Sequence, residues 1–198
     1  MYGLLRVFLT FLFSVVFRWQ KIGVENIPAG GVIIAANHIS LWDPPVVGTA
    51  IPGRRIHFMA KEELFTNKLF AWIIGKQLGA FPVKRGAADR TAIRTALTLL
   101  ETGNILGIFP EGTRSKNGKL GAPEAGLALI AVKAGVPVIP TAIIGTNKIF
   151  NNGCLLPKFK VIFGKPLLFD RNNESMDVMS ARVMTEINQL LAQADTNK

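Results

Sequence analysis

Short runs of apolar, often β-branched residues alternate with segments of helical periodicity along most of the chain, and this alternation constrains the fold most. The run at 31–36 (GVIIAA) carries no polar side chain and follows a Pro-Ala-Gly turn, so it is typical of a buried strand. Similar runs predict further strands at 55–59, 81–84, 105–109, 136–144 and 160–163.

The intervening segments have the 3.6-residue period of amphipathic helices. One covers 89–101, with Asp89 as the expected N-cap, and others cover 124–134 and 175–191. At 198 residues and 49% apolar composition, the chain suits one domain with a sizeable core. The sequence therefore predicts a single α/β domain with a mostly parallel sheet flanked by helices.

The composition favours an anionic partner. The 23 Lys and Arg residues exceed the 13 Asp and Glu residues, which gives a formal net charge of +10. This charge accompanies a positive mean hydropathy, so the candidates are a phosphate-bearing ligand, an acidic protein, nucleic acid or a membrane surface. A single cysteine, Cys154, excludes an internal disulfide, and with only His38 and His57 as histidines no metal site is expected.

The amino-terminal segment 7–17 contains no charged residue and is flanked by Arg6 and Arg18. As a helix it would be roughly 16 Å long, about half the thickness of a bilayer's hydrocarbon core. Polar side chains recur every four residues from Arg6 to Arg18 and form one narrow stripe. We expect residues 1–22 to form an interfacial membrane helix and residues 23–198 to form the catalytic domain.

Two other interpretations of this segment compete with the interfacial helix. A signal peptide is disfavoured because no small-residue cleavage site follows Phe17. A buried core helix stays open, since short apolar runs are often core. The basic residues at both ends indicate the cytoplasmic face, although only weakly. A second apolar stretch, 69–74, is expected to be core and could alternatively border an acyl groove.

His38 and Asp43 follow the first predicted strand directly. Residues five apart cannot meet within one regular helix, so a contact between them requires a loop and then a helix start. Pro44 and Pro45 favour such a start, with Asp43 as its N-cap. A carboxylate on one imidazole nitrogen would leave the other free to accept a proton from an alcohol. Spacing alone favours a structural histidine beside an ordinary cap, and only the resemblance given below favours the catalytic interpretation.

Other nucleophiles fit the sequence less well. No Gly-x-Ser-x-Gly elbow is present, and Ser40 is a weaker candidate than direct attack by a bound alcohol. His57 lies inside a predicted strand and is expected to be structural.

Two motifs place cations after predicted strands: 81–86 (FPVKRG) and 109–115 (FPEGTRS). The carboxyl ends of parallel strands meet at one sheet edge, so His38, Arg85, Glu111 and Arg114 are expected to converge. Guanidinium groups bind phosphate through two hydrogen bonds, and Gly112 permits close backbone approach. A solvated basic loop is the alternative. A P-loop is excluded by the spacing before Lys119 and by Leu120 in place of its Ser or Thr.

Together these blocks resemble the glycerolipid acyltransferase family. The resemblance rests on Asn37-His38 with Asp43, on the two cationic motifs, and on the block 136–140 (VPVIP), in that order along the chain. It implies transfer of a fatty acyl chain from a thioester to the 2-hydroxyl of lysophosphatidic acid, with His38 as general base and Asp43 orienting it. The substrate-binding residues implied are Lys84, Arg85, Glu111, Gly112, Thr113 and Arg114.

The resemblance also implies the partners. The donor would be acyl-coenzyme A or an acylated carrier protein, with no other cofactor, and the acceptor would be a membrane lipid at an anionic surface. Glycerol 3-phosphate or another lysophospholipid is the alternative acceptor. A module that only binds anionic lipid or nucleic acid is a second alternative, although no nucleic-acid motif is present.

Overall fold

A computed structural model of the chain describes residues 2–84, 89–115, 117–149 and 156–196. Within them a seven-stranded sheet carries helices on both faces. The strands are β1 Gln20–Ile22, β2 Val32–Ala36, β3 Ile56–Lys61, β4 Phe81–Val83, β5 Ile105–Ile108, β6 Val138–Ile144 and β7 Lys160–Phe163. The helices are α1 Tyr2–Val15, α2 Asp43–Ala50, α3 Lys68–Trp72, α4 Arg90–Glu101, α5 Gly126–Ala134 and α6 Met176–Thr196.

The strand order is β1-β7-β6-β2-β5-β3-β4, and every neighbouring pair is parallel except β6 and β7. The predicted α/β domain with a mostly parallel sheet is therefore confirmed. Strand β2 lies in the middle of the sheet, between β5 and β6. The residues that follow β2 consequently start from the centre of the edge at which ligands gather in such sheets.

Alternate residues of β2 serve two separate cores. Val32 and Ile34 pack with α1 and α2 on one face of the sheet. Ile33 and Ala35 pack with α4, α5 and α6 on the other. All five residues of β2 are buried, because both faces are covered, and this explains the uninterrupted apolar run in the sequence.

The predicted strands and the three later helices are all present, with ends shifted by a few residues. No sequence pattern predicts β1, because its three residues are all exposed and it joins the sheet only through pairing with β7. The helix expected over residues 1–22 ends at Val15 in the structure, so β1 lies beyond it. The expectation that 69–74 is core is wrong for most of its residues, since only Ile74 is buried.

Helix α1 lies on the domain with one face buried. Phe13 is fully buried and packs against Phe17, Trp19 and Phe159. The opposite face exposes large apolar side chains to solvent: Leu4, Val7, Phe8, Phe11 and Val15. Part of α1 is thus core, as the alternative interpretation held, while its outer face keeps the character of an interfacial helix.

The polar stripe of α1 contributes to this docking. The Arg6 guanidinium donates to the backbone carbonyl oxygens of Ile51 and Arg54, just after α2. Ser14 Oγ accepts a hydrogen bond from Trp19 Nε1 at 3.0 Å. The stripe therefore fixes the helix to the domain and turns its apolar side outward. Among the described residues, no helix combines the length and the apolar character needed to cross a bilayer.

Candidate active site

His38 and Asp43 meet where the loop after β2 enters helix α2. His38 Nδ1 lies 2.8 Å from Asp43 Oδ2, so the two side chains form the pair that the spacing predicted. The prediction that Asp43 is the N-cap is wrong, since α2 begins at Asp43 and Trp42 occupies the cap position. Pro44 and Pro45 have no N–H to be capped, and the carboxylate instead turns back toward the loop.

The Asp43 carboxylate is fully buried and accepts four hydrogen bonds. Oδ2 accepts from His38 Nδ1 and from the backbone N–H groups of Ile39 and Ser40, each of the latter at 2.7 Å. Oδ1 accepts from the Thr146 hydroxyl at 2.6 Å. Thr146 begins the short 3₁₀ turn after β6. These four donors together hold the Asp43 carboxylate in one orientation.

The imidazole of His38 is oriented by both a hydrogen bond and a ring stack. A proton on Nδ1 is held by Asp43, so Nε2 presents a lone pair. The ring stacks on Phe109 with centroids 4.0 Å apart and planes 15° apart, and Phe109 in turn stacks on Phe58. The His38 side chain is 14% exposed, which lets a bound molecule reach it. This nitrogen can serve as a general base toward a hydroxyl.

Gly107 makes the aromatic stack possible. A Cβ at this position of β5 would lie 2.4 Å from the Phe58 ring, too close for any side chain. The glycine thus leaves the space in which Phe58 supports Phe109, and through it the imidazole.

The backbone of His38 is held by the turn after β5. Its N–H donates to Glu111 Oε1 at 3.0 Å, and its carbonyl oxygen accepts from Ser115 N at 2.8 Å. The other oxygen of Glu111, Oε2, accepts from Gly121 N at 2.8 Å. Glu111 is buried, so its carboxylate joins three pieces of chain.

Gly112 and the two residues after it shape the open side of this turn. Gly112 has a φ of +64°, and a Cβ there would lie 3.0 Å from Glu124 Cγ, so glycine suits both the conformation and the space. Thr113 and Arg114 follow with exposed side chains. Because Ser115 N donates to the His38 carbonyl oxygen, the backbone of Arg114 lies immediately beside the histidine loop.

The second cationic motif lies at the same edge of the sheet but farther out. Lys84 follows β4, which is separated from β5 by β3, or two strand spacings of roughly 5 Å each. Its Nζ is exposed and lies 3.9 Å from Glu62 Oε1. The structure thus brings His38, Asp43 and the 111–114 turn together and places Lys84 at the periphery. Arg85 lies outside the described residues.

Asp89 controls the backbone next to Lys84. Its Oδ2 accepts from Lys84 N at 2.9 Å, and its Oδ1 accepts from the N–H groups of Thr91 and Ala92, which confirms the predicted N-cap of α4. These hydrogen bonds, from Lys84 first and then Ala92, hold the pKa of Asp89 below its ordinary value. One carboxylate therefore both starts the helix and fixes the end of β4.

Comparison with known proteins identifies the family. Residues 18–144 match the model of the Acyltransferase family. The chain belongs to this family. That span contains the His38–Asp43 pair, both cationic motifs and strand β6, and it ends two residues before Thr146.

Curated relatives and a solved structure agree with this acyltransferase assignment. The chain is 38% identical over 148 residues to the 1-acyl-sn-glycerol-3-phosphate acyltransferase of Bacillus subtilis, covering 72% of this chain and 70% of that one. It is 33% identical over 165 residues to the enzyme of the same name from Streptococcus pneumoniae, covering 80% and 60%. The 1-acyl-sn-glycerophosphate acyltransferase of Thermotoga maritima superposes with a TM-score of 0.74 at 31% identity, covering 96% of this chain and 80% of that one.

Three contributions to the acyltransferase site were missed by sequence reasoning. Thr146 lies 103 positions from Asp43, and no local pattern connects the two. Asn37 exchanges two hydrogen bonds with the backbone of Ile143, at 3.0 and 2.7 Å, and so ties the end of β2 to β6. Its place before His38 in the family block was a usable signal. The stack of Phe58, Phe109 and His38 joins strand β3 to the residues that follow β5 and β2, so no local pattern shows it.

The residues considered as alternatives have structural roles in this acyltransferase. The Ser40 hydroxyl accepts from Trp42 N at 3.2 Å and belongs to the turn before α2. His57 is half-buried in β3, where desolvation and then the charge of Arg55 lower its pKa. Cys154 lies outside the described residues.

Proposed function

We propose that this acyltransferase is a 1-acylglycerol-3-phosphate O-acyltransferase, which moves a fatty acyl chain from a thioester to the sn-2 hydroxyl of lysophosphatidic acid and makes phosphatidic acid for phospholipid biosynthesis. One observation carries the proposal. The buried Asp43 carboxylate accepts a hydrogen bond from Nδ1 of His38, whose side chain is partly exposed, and this pair lies beside the turn that contains Arg114. The two named bacterial relatives carry this activity in their names.

The chemistry follows from the free nitrogen of His38. Nε2 accepts the proton of the acceptor hydroxyl as its oxygen attacks the thioester carbonyl carbon. The imidazolium formed is stabilised by the Asp43 carboxylate, whose own position is fixed by Thr146 and two backbone amides. The carbon–sulfur bond then breaks, and the thiol leaves with the proton. General base catalysis of this kind contributes about 10²- to 10⁴-fold in rate.

The acceptor phosphate is assigned first to Arg114. The Arg114 backbone lies beside His38, whereas Lys84 follows β4, three strands away from β2, and would approach an extended headgroup from the outside. Arg85, next in the chain, would add a second cation there. Gly112 and Thr113 form the floor of this side of the site. Glu111 has both oxygens on backbone amides and acts by shaping the turn.

The donor is either acyl-coenzyme A or an acylated carrier protein, and both are anionic. A chain of net charge +10 attracts either one over a long range. Neither requires a metal or a further cofactor for the step described.

The acceptor is a bilayer lipid, so we place the enzyme on the cytoplasmic face of the cell membrane, with the apolar outer face of α1 in the lipid interface.

The test is an assay of purified protein with lysophosphatidic acid or glycerol 3-phosphate, each with both thioester donors. We expect turnover with lysophosphatidic acid, and we expect His38→Ala to lower kcat at least 10³-fold, a loss within the range for a general base. Circular dichroism of the variant should be unchanged, because His38 is at the edge of the core.

The same assay discriminates the alternatives. Turnover with glycerol 3-phosphate alone would assign a different acceptor to the same machinery. A His38→Ala protein with near-normal turnover would exclude the mechanism. Lipid binding without acyl transfer in any of the four combinations would leave a binding module as the function.

A further inference from the structure

A second apolar surface lies on the segment between β3 and β4, apart from the catalytic pair. It is formed by large side chains that are 37% to 69% exposed. A cluster of large apolar side chains exposed to water marks a contact with an apolar partner. We call this the α3 surface; its members are Leu64, Leu69, Phe70, Trp72 and Ile73. Asn67 caps α3 by accepting from Leu69 N and Phe70 N, which gives these two exposed residues a defined helical position.

Among the described helical segments, exposed large apolar side chains are concentrated in one layer of the molecule. Helix α1 contributes five exposed large apolar side chains and the 64–73 segment contributes five more. On the opposite face of the sheet, the described parts of α4, α5 and α6 contribute only Val178. A general tolerance for exposed apolar residues would affect both layers. This asymmetry indicates that one side of the domain meets an apolar partner.

The α3 surface belongs to a segment that packs against α1 and begins at the active-site edge. Its segment starts directly after Lys61, where β3 ends, at the same edge as His38 and Arg114. The turn at 73–77 packs against α1, and Leu5, Leu9 and Leu78 border one shared apolar cavity. The two exposed surfaces thus belong to adjoining elements of one layer.

The charges around the α3 surface match an anionic bilayer. Lys68 lies within its span and Lys76 just beyond it, and both side chains are exposed. The nearby acidic residues face lysines: Glu63 is 2.9 Å from Lys61, and Glu62 is 3.9 Å from Lys84. Lysines above a row of Leu, Phe and Trp side chains are the pattern of a segment that lies in a lipid interface and contacts anionic headgroups.

We propose that the α3 surface is a second lipid contact, which inserts into an anionic bilayer together with the outer face of α1. With both surfaces in lipid, the edge bearing His38 and Arg114 is held against the headgroup layer, and an acceptor lipid can enter without leaving the membrane. The inference rests on the proposed function only in taking the acceptor to be a bilayer lipid.

Tryptophan fluorescence tests the contact without any need for catalysis. The chain has three tryptophans, at 19, 42 and 72, and Trp72 is on the α3 surface. Full-length protein is mixed with phosphatidylglycerol vesicles containing a lipid brominated on its acyl chain. We expect strong quenching in the wild type and in Trp42→Phe, and loss of most of the quenchable emission in Trp72→Phe. Equal quenching with and without Trp72 would overturn the proposal.

A matched pair of variants tests the energetic contribution. Leu69→Ser with Phe70→Ser should weaken binding to these vesicles about tenfold, since two interfacial apolar side chains are lost. Val178→Ser, an exposed apolar site on the other layer, should leave binding unchanged. Equal affinities for all three proteins would overturn the proposal, and so would a loss of self-association in place of a loss of vesicle binding.

A water-soluble short-chain acceptor separates this proposal from the proposed function. The double variant should keep wild-type kcat on that acceptor while its KM for acceptor in vesicles rises. Absence of acyl transfer from the wild type as well would contradict the proposed function, and the quenching result would still decide whether the α3 surface enters the bilayer.

Discussion

The hydroxyl of Thr146 completes the hydrogen bonding of the catalytic carboxylate. Asp43 is fully buried, and Thr146 supplies the only side-chain donor other than His38 among its described partners. A buried carboxylate oxygen that loses its partner pays a desolvation cost, and the carboxylate is then held through Oδ2 alone. Thr146 therefore acts on the reaction through Asp43, as a positioning residue.

Replacing Thr146 by Val removes the hydroxyl and keeps the shape. A hydrogen bond to a charged group contributes about 1.5–3 kcal/mol, so we expect kcat to fall about 10- to 100-fold if most of that cost appears in the transition state. KM for the acceptor should change little, because Thr146 is behind Asp43. Steady-state kinetics of Thr146→Val measures both effects.

Thr146→Ser is the matched control, since it keeps the donor and loses only a methyl group. We expect it to restore most of kcat. Equal losses in the Val and Ser variants would show that packing at this position matters and that the hydrogen bond does not. A raised KM with unchanged kcat would contradict the positioning role.

At the level of elements, the turn after β5 has two separable functions. Its inner residue, Glu111, bonds the His38 backbone and Gly121, whereas its outer residue, Arg114, is exposed beside the histidine loop. The family resemblance alone grouped both as substrate-binding residues. The burial and backbone partners of Glu111 give it a structural role, whereas we propose that the exposed Arg114 contacts the acceptor.

Glu111→Gln and Arg114→Ala should therefore give opposite kinetic patterns. A Gln amide offers one acceptor oxygen to two backbone donors and turns an N–H group toward the other, so we expect a lower kcat and a lower unfolding midpoint. Arg114→Ala should raise the acceptor KM about tenfold or more, the cost of a charge-assisted hydrogen bond, with a normal midpoint. If Glu111→Gln instead raised the acceptor KM and left kcat unchanged, Glu111 would be a substrate-binding residue.

Elements with strong local patterns were predictable, and those without were not. Strand β2 could be predicted because both its faces are buried and its apolar run is uninterrupted. The capping role of Asp89 could be predicted because a cap residue followed by apolar residues at helical spacing is a local signal. Strand β1 has three exposed residues and owes its existence to β7, more than 130 positions later, so no local pattern reveals it. The polar stripe of α1 could be predicted from the sequence. That the stripe faces the domain could not, because this depends on the backbone carbonyl groups after α2 that accept from Arg6.

At the scale of the whole molecule, topology assembles a site that the sequence presents as scattered blocks. Parallel strands β2 and β5 are neighbours, so the residues after them meet at one edge. This rule sufficed to predict that His38 and Arg114 converge. The same rule brings the turn after β6 to this edge, but it could not predict that the Thr146 hydroxyl donates to Asp43. Pairings of this kind depend on side-chain geometry that only the folded structure specifies.

Global stability should depend on pH through His57, the histidine outside the active site. Burial in β3, followed by the charge of Arg55, lowers its pKa below the ordinary 6.5, whereas an unfolded chain would restore that value. Below about pH 6.5 the unfolded state consequently binds more protons than the folded state. Stability contributed by neutral His57 is complete above that pH and is lost as the pH falls toward the folded pKa.

His57→Gln isolates this contribution because glutamine does not titrate. Urea unfolding midpoints at pH 7.5 and 5.0 should fall with acidification in the wild type, and they should fall less in the variant. The comparison cancels other groups that titrate in the same range, since these are common to both proteins. Identical pH dependence in the two proteins would mean that His57 protonates as readily in the folded sheet as in the unfolded chain, contrary to its half-buried position beside Arg55.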